Sequence, residues 1–123
     1  MVNGKASILV ADDEENLRTV LRSELENAGY LVTTVCDGDE AIRATTTDSF
    51  DLALLDIKMP KTDGIEVLKH IKKEKPSIRV IMLTAYADLR HAMESKKYGA
   101  EDFMSKPYDI EDLLVTVQRL LSQ

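Results

Sequence analysis

Five residues carry the side chains with chemistry to offer, and each follows a short apolar run. Asp12-Asp13 follows Ile8-Leu9-Val10-Ala11, and Asp56 follows Leu52-Ala53-Leu54-Leu55. Thr84-Ala85 closes a run that begins at Ile78, and Lys106-Pro107 follows the segment Asp102 to Ser105. If these ends converge, the acids raise one another's pKa unless a cation neutralises them, and an all-oxygen donor set suits a hard ion such as Mg²⁺. A carboxylate beside such an ion can attack phosphorus, because the metal and a nearby ammonium offset the repulsion between two anions. Asp56, a lone acid, suits the attack. Asp12 and Asp13 share one end and suit the metal, while Thr84 and Lys106 can hold phosphoryl oxygens as charge builds on them.

Convergence depends on the elements in between. The apolar runs Ser7 to Ala11, Leu31 to Val35, Asp51 to Leu55, Ile78 to Leu83 and Asp102 to Ser105 read as strands. Leu17, Val20, Leu21, Leu25 and Ala28 follow helical spacing, as do Ile65, Leu68 and Ile71, then Leu89, Ala92 and Met93, then Ile110, Leu113, Leu114, Val117 and Leu121. Gly29 and Gly99 close helices, and Gly38 falls in the turn after the second strand. The second helix, Gly38 to Thr47, is expected to be short or frayed, because Thr45-Thr46-Thr47 is a β-branched run. Strands alternating with helices, joined by right-handed crossovers, build a doubly wound parallel α/β sheet. Such sheets bind ligands beyond the carboxyl ends of their strands, where the five residues lie.

Composition narrows the classes. The 123 residues suit one domain, and no stretch is apolar enough to span a bilayer. A single cysteine, Cys36, cannot form an internal disulfide, and the start carries no secretory signal, so the expected compartment is the cytoplasm. A formal net charge of −6 argues against direct contact with nucleic acid.

Taken together, Asp12-Asp13, Asp56 with Met59-Pro60 and Asp63-Gly64, Thr84-Ala85 and Lys106-Pro107 resemble the receiver domain of two-component response regulators over the whole chain. The resemblance implies a flavodoxin-like (CheY-like) fold, with five strands in the order 2-1-3-4-5, and one receiver domain over residues 1–123 with no output domain in this sequence. It implies that Asp56 accepts a phosphoryl group from a sensor histidine kinase or histidine phosphotransfer protein. Mg²⁺ would be held by Asp13, Asp56 and the backbone carbonyl of Lys58, with Asp12 acting mainly through metal-bound water. Thr84 and Phe103 would form the switch, the Lys106-Pro107 bond would be cis, and the fourth helix, fifth strand and fifth helix would meet a downstream effector, an output domain or a second copy of the chain. No enzymatic turnover is implied beyond phosphoryl transfer to Asp56 and its loss.

Simpler readings exist for each residue alone. Asp12-Asp13 could cap the first helix, Thr84 could be a strand-end hydroxyl, Lys106 a solvated cation, and Gly64 the residue of a tight turn. Their joint placement argues otherwise. The enzyme alternative, an aspartyl-phosphate phosphohydrolase, would carry a second acid two residues after the nucleophile, and Lys58 stands there. A flavin carrier of the same fold needs a phosphate-binding loop after the first strand, and Asp12-Asp13-Glu14-Glu15 would repel phosphate.

Overall fold

The computed structural model describes residues 1–85 and 89–123; the side chains of Thr84, Leu89, His91 and Ala92 also lie outside the described set. In chain order the elements are β1 (Ser7–Ala11), α1 (Glu15–Asn27), β2 (Leu31–Val35), α2 (Gly38–Thr47), β3 (Leu52–Asp56), α3 (Gly64–Glu74), β4 (Arg79–Ala85), α4 (Leu89–Lys97), β5 (Asp102–Lys106) and α5 (Ile110–Leu121). All strand pairs are parallel, in the order β2-β1-β3-β4-β5. The central strands β1, β3 and β4 are largely apolar on both faces because both faces are covered. Leu9, Ala53, Leu55, Val80 and Met82 point to a core closed by Ala41 of α2 and Ile65, Leu68 and Ile71 of α3. Ile8, Val10, Leu52, Leu54, Ile81 and Leu83 point the other way, against Leu21 and Leu25 of α1 and Leu113, Val117 and Leu120 of α5.

Register aligns the functional ends. Ala11 pairs with Leu55, Asp56 with Leu83, and Ala85 with Lys106, so the residues just past β1 and the last residues of β3, β4 and β5 share one edge. At the opposite edge the chain leaving α4 is fastened. Glu101 donates its N–H to the Val80 carbonyl at 2.9 Å and accepts the Val80 N–H at 2.7 Å through its carboxylate. The Lys72 ammonium joins that carboxylate at 2.9 Å and donates to the Ile78 carbonyl at 2.8 Å.

Two local expectations are corrected. Helix α2 runs its full ten residues, because Asp37 caps it by accepting the Glu40 N–H at 2.8 Å and the threonines turn their hydroxyls back onto the helix. Thr46 and Thr47 donate to the carbonyls of Ile42 and Arg43, and Thr45 is fully buried, so packing and local bonds offset weak propensity. Gly64 is not there for turn geometry. A Cβ at this position would run into the Asp56 carbonyl, so glycine is what lets α3 start against the end of β3. Gly64→Ala is expected to lower stability by about 2 to 3 kcal/mol, as overpacking against backbone does. Urea denaturation checks this.

Candidate functional site

Each acid is set by the backbone that carries it. Asp56 ends β3 and is 5% exposed; Asp12, one residue past β1, is 0% exposed. Asp13 next to it faces solvent. Asp12 does not cap α1 directly. Its Oδ1 accepts the Glu14 N–H at 2.9 Å, while its own N–H donates to the Val35 carbonyl at 3.2 Å. The Asp56 Oδ1 accepts the Lys58 N–H at 3.3 Å.

Two buried carboxylates side by side need a cation, and Lys106 supplies it. Its ammonium lies 2.9 Å from Asp12 Oδ2, 3.0 Å from Asp56 Oδ2 and 3.4 Å from Glu14 Oε1. Burial pushes the Asp56 carboxyl above its ordinary value, the Asp12 charge adds to the rise, and the Lys106 hydrogen bond opposes it. Burial would lower the Lys106 pKa, but its bonds to Asp12 and Asp56 hold the ammonium charged well above the usual lysine range. Burial also pushes the Tyr108 phenol up to about 12, and its hydroxyl is enclosed with no hydrogen-bond partner among the described residues.

Carboxylate oxygens of Asp12, Asp13 and Asp56 can lie within 4.8 Å of one another, an all-oxygen set of the kind a hard divalent cation takes. The residues present therefore fit the ion. The Lys106-Pro107 bond is cis. Beside Lys106 a groove of about 560 Å³ opens between α1 and the start of α5, with Leu17, Val20, Pro107, Tyr108 and Ile110 on its walls. Arg18, on the same helix, instead turns inward and donates to the Asp12 carbonyl at 2.7 Å.

The structure thus brings Asp12, Asp13, Asp56, Lys58 and Lys106 together. Thr84 lies opposite Ser105 in the β4–β5 register, but its side chain lies outside the described residues. Phe103 packs, half-buried, on the α3 side of the sheet, and the Lys96 ammonium sits 5.4 Å from its ring centre. Sequence reasoning missed Glu14 as a partner of Lys106 and Arg18 as a donor to the Asp12 carbonyl. Glu14 was visible only as part of an acidic run, and nothing in the spacing of Arg18 distinguishes an inward guanidinium from a solvated one.

Residues 8–118 match the response regulator receiver domain, and the chain belongs to that family. The chain is 40% identical over 114 residues to the alkaline phosphatase synthesis transcriptional regulatory protein PhoP of Bacillus subtilis, covering 93% of this chain and 48% of PhoP. It spans less than half the length of the curated relatives it first matches. Among solved structures, a CheY-like receiver domain protein from Methanospirillum hungatei superposes with a TM-score of 0.93 at 32% identity, covering 97% of this chain and 95% of the other. TrrA from Thermotoga maritima, in complex with Mg²⁺-BeF, gives a TM-score of 0.85 at 36% identity, covering 94% of this chain and 98% of the other. Receiver domains of this family are regulatory modules of two-component systems rather than classical enzymes. Among the described residues no helix is long and apolar enough to cross a membrane.

Removing the shared cation should be costly. Lys106→Met is expected to lower stability by about 2 kcal/mol at neutral pH, since two buried carboxylates lose their charged donor. The loss should shrink as falling pH protonates Asp56, whose carboxyl lies above its ordinary value, and Mg²⁺ should restore part of it. Urea titrations with and without Mg²⁺ measure all three effects.

Proposed function

We propose that this chain is a phosphorylation-controlled switch in which Asp56 accepts a phosphoryl group from a phosphohistidine on a sensor histidine kinase or histidine phosphotransfer protein. The observation that carries the reading is the Lys106 ammonium held by two buried aspartates, Asp12 and Asp56, at the carboxyl edge of the sheet. A carboxylate oxygen of Asp56 attacks phosphorus, the P–N bond to the donor imidazole breaks, and the imidazole leaves as the aspartyl phosphate forms. Asp13, Asp56 and the Lys58 carbonyl would hold Mg²⁺, with Asp12 acting mainly through water, and the ion would supply charge neutralisation for the incoming phosphoryl group. Lys106 moves from sharing carboxylates to pairing a phosphoryl oxygen, a charge-assisted bond of the stronger class. The TrrA complex with Mg²⁺-BeF supports this assignment by likeness.

The groove beside Lys106 suits the phosphoryl donor, because its apolar walls open onto the acid that must be reached. The opposite role, output, falls to α4, β5 and α5, where Met93 is 73% and Val115 is 64% exposed. A downstream effector, an output domain or a second copy of the chain would cover this face, with Thr84 and Phe103 linking it to Asp56. One charge-assisted hydrogen bond is worth less than the roughly 5.5 kcal/mol that a nearly complete two-state swing requires, so partner binding completes the shift. The location that follows from such partners is the cytoplasm.

Mg²⁺-dependent incorporation of phosphate, or of beryllium fluoride as its mimic, is expected at Asp56. Mass spectrometry should find no acid-labile phosphate in Asp56→Asn, and equal labelling of that variant overturns the assignment. Leu17→Ala, on the groove wall, should slow phosphotransfer from the kinase about tenfold while leaving labelling by a small-molecule phosphodonor unchanged, since about 1.4 kcal/mol of donor contact is lost. Beryllium fluoride should also shift amide resonances around Thr84, α4 and Phe103. Changes confined to the neighbours of Asp56 would rule out the switch.

A further inference from the structure

The loop from β3 to α3, residues 57–63, carries Lys58, so whatever fixes this loop fixes the carbonyl assigned above to the cation. One end is held by the Gly64 N–H, which donates to the Ile57 carbonyl at 2.7 Å. The middle rests on the first turn of α2. There the Thr62 hydroxyl donates to Asp39 Oδ1 at 2.6 Å in a half-buried position, and the Gly38 N–H reaches the Pro60 carbonyl at 3.4 Å. Lys61, at φ +70°, brings its ammonium to 3.6 Å from Asp37. Gly38 lies so near Thr62 that a Cβ there would overlap the Thr62 carbonyl.

These contacts are unequal. The Lys61 side chain is 61% exposed, and an exposed pair at that distance contributes little. The Gly38 bond is long. The Thr62–Asp39 bond is short, charge-assisted and shielded, and it is the one able to hold the loop. The element it anchors to is tied in turn to the other side of the site. Helix α2 follows directly on β2, whose Val35 carbonyl accepts the Asp12 N–H at 3.2 Å. The first turn of α2 therefore braces the acids after β1 against the loop after β3.

We infer that Thr62 and Asp39 are positioning residues that set the affinity of this chain for its divalent cation by holding the Lys58 carbonyl at a fixed place relative to Asp12 and Asp13. The inference rests on the metal site proposed above. A loop already held in place pays less ordering entropy when the ion binds, so losing the brace raises the dissociation constant without removing a ligand.

The test titrates Mg²⁺ into the purified chain and follows amide resonances, with urea unfolding of each variant measured without metal. Thr62→Val removes the hydroxyl at nearly constant shape and no change of charge, and should weaken Mg²⁺ binding about fivefold, the worth of one hydrogen bond. Asp39→Ala should weaken it similarly, and the double variant should be no weaker than either single. Thr62→Ser should bind like the unmodified chain. Asp13→Ala, run in parallel, should abolish binding. Normal Mg²⁺ affinity in Thr62→Val with loss in Asp13→Ala overturns the positioning role alone, whatever happens to stability. Normal affinity in both variants overturns the metal site, and the positioning role with it.

Discussion

One ammonium shared between two buried carboxylates governs this molecule. Asp12 and Asp56 are placed side by side by strand register, and register is set by two apolar cores of different lining: a one-residue shift would send the side chains of each core into the other. The acids therefore cannot separate, and their charge must be met from within. Lys106 meets it from β5, three strands away from β1 in the sheet order. Crowding of the two acids is a cost that, on the reading proposed above, a divalent cation at this edge would relieve. Stability has been given up at one edge of the sheet, and the two apolar cores beneath it offset the loss.

The fold serves this arrangement by keeping irregular backbone at the carboxyl edge and regular backbone below it. Glycine at 64 lets α3 begin against the Asp56 carbonyl, so the loop bearing Lys58 stays short and close to the acids. The same edge carries the apolar groove beside Lys106, while exposed Met93 lies on α4 and exposed Val115 further along α5. Two kinds of partner can thus address one small domain without competing for the same residues. That division is the physical basis for reading the chain as a relay between a phosphoryl donor and a downstream target.

Most of the frame was legible from the residues alone. Apolar runs ending in Asp12, Asp56, Thr84 and Lys106 announced both the strands and their functional ends, because buried parallel strands leave a continuous hydrophobic signature and a polar stop. The helix at residues 38–47 was misjudged because propensity ignores hydroxyls that bond back to their own helix and a threonine buried by its neighbours. The need for glycine at 38 and 64 was invisible, since both arise from long-range approach rather than backbone conformation. The three-way sharing of Lys106, which includes Glu14, likewise depends on distances between strand ends that no spacing along the chain encodes. Legibility stopped where tertiary contact, not local pattern, chooses the residue.

The bond between Lys72 and Glu101 has a mechanical consequence. With the exit of α4 pinned to β4 and α3 at the far edge of the sheet, that helix is a lever whose fulcrum lies at its carboxyl end. Nine residues make an arm of roughly 13 Å, so a tilt of about 10° would sweep the other end through about 2 Å while hardly disturbing the pinned turn. About such a pivot the Lys97 end of α4 would move least and the Leu89 end most. A push on the first turn of α4 would act at the long end of that arm, where the least force is needed.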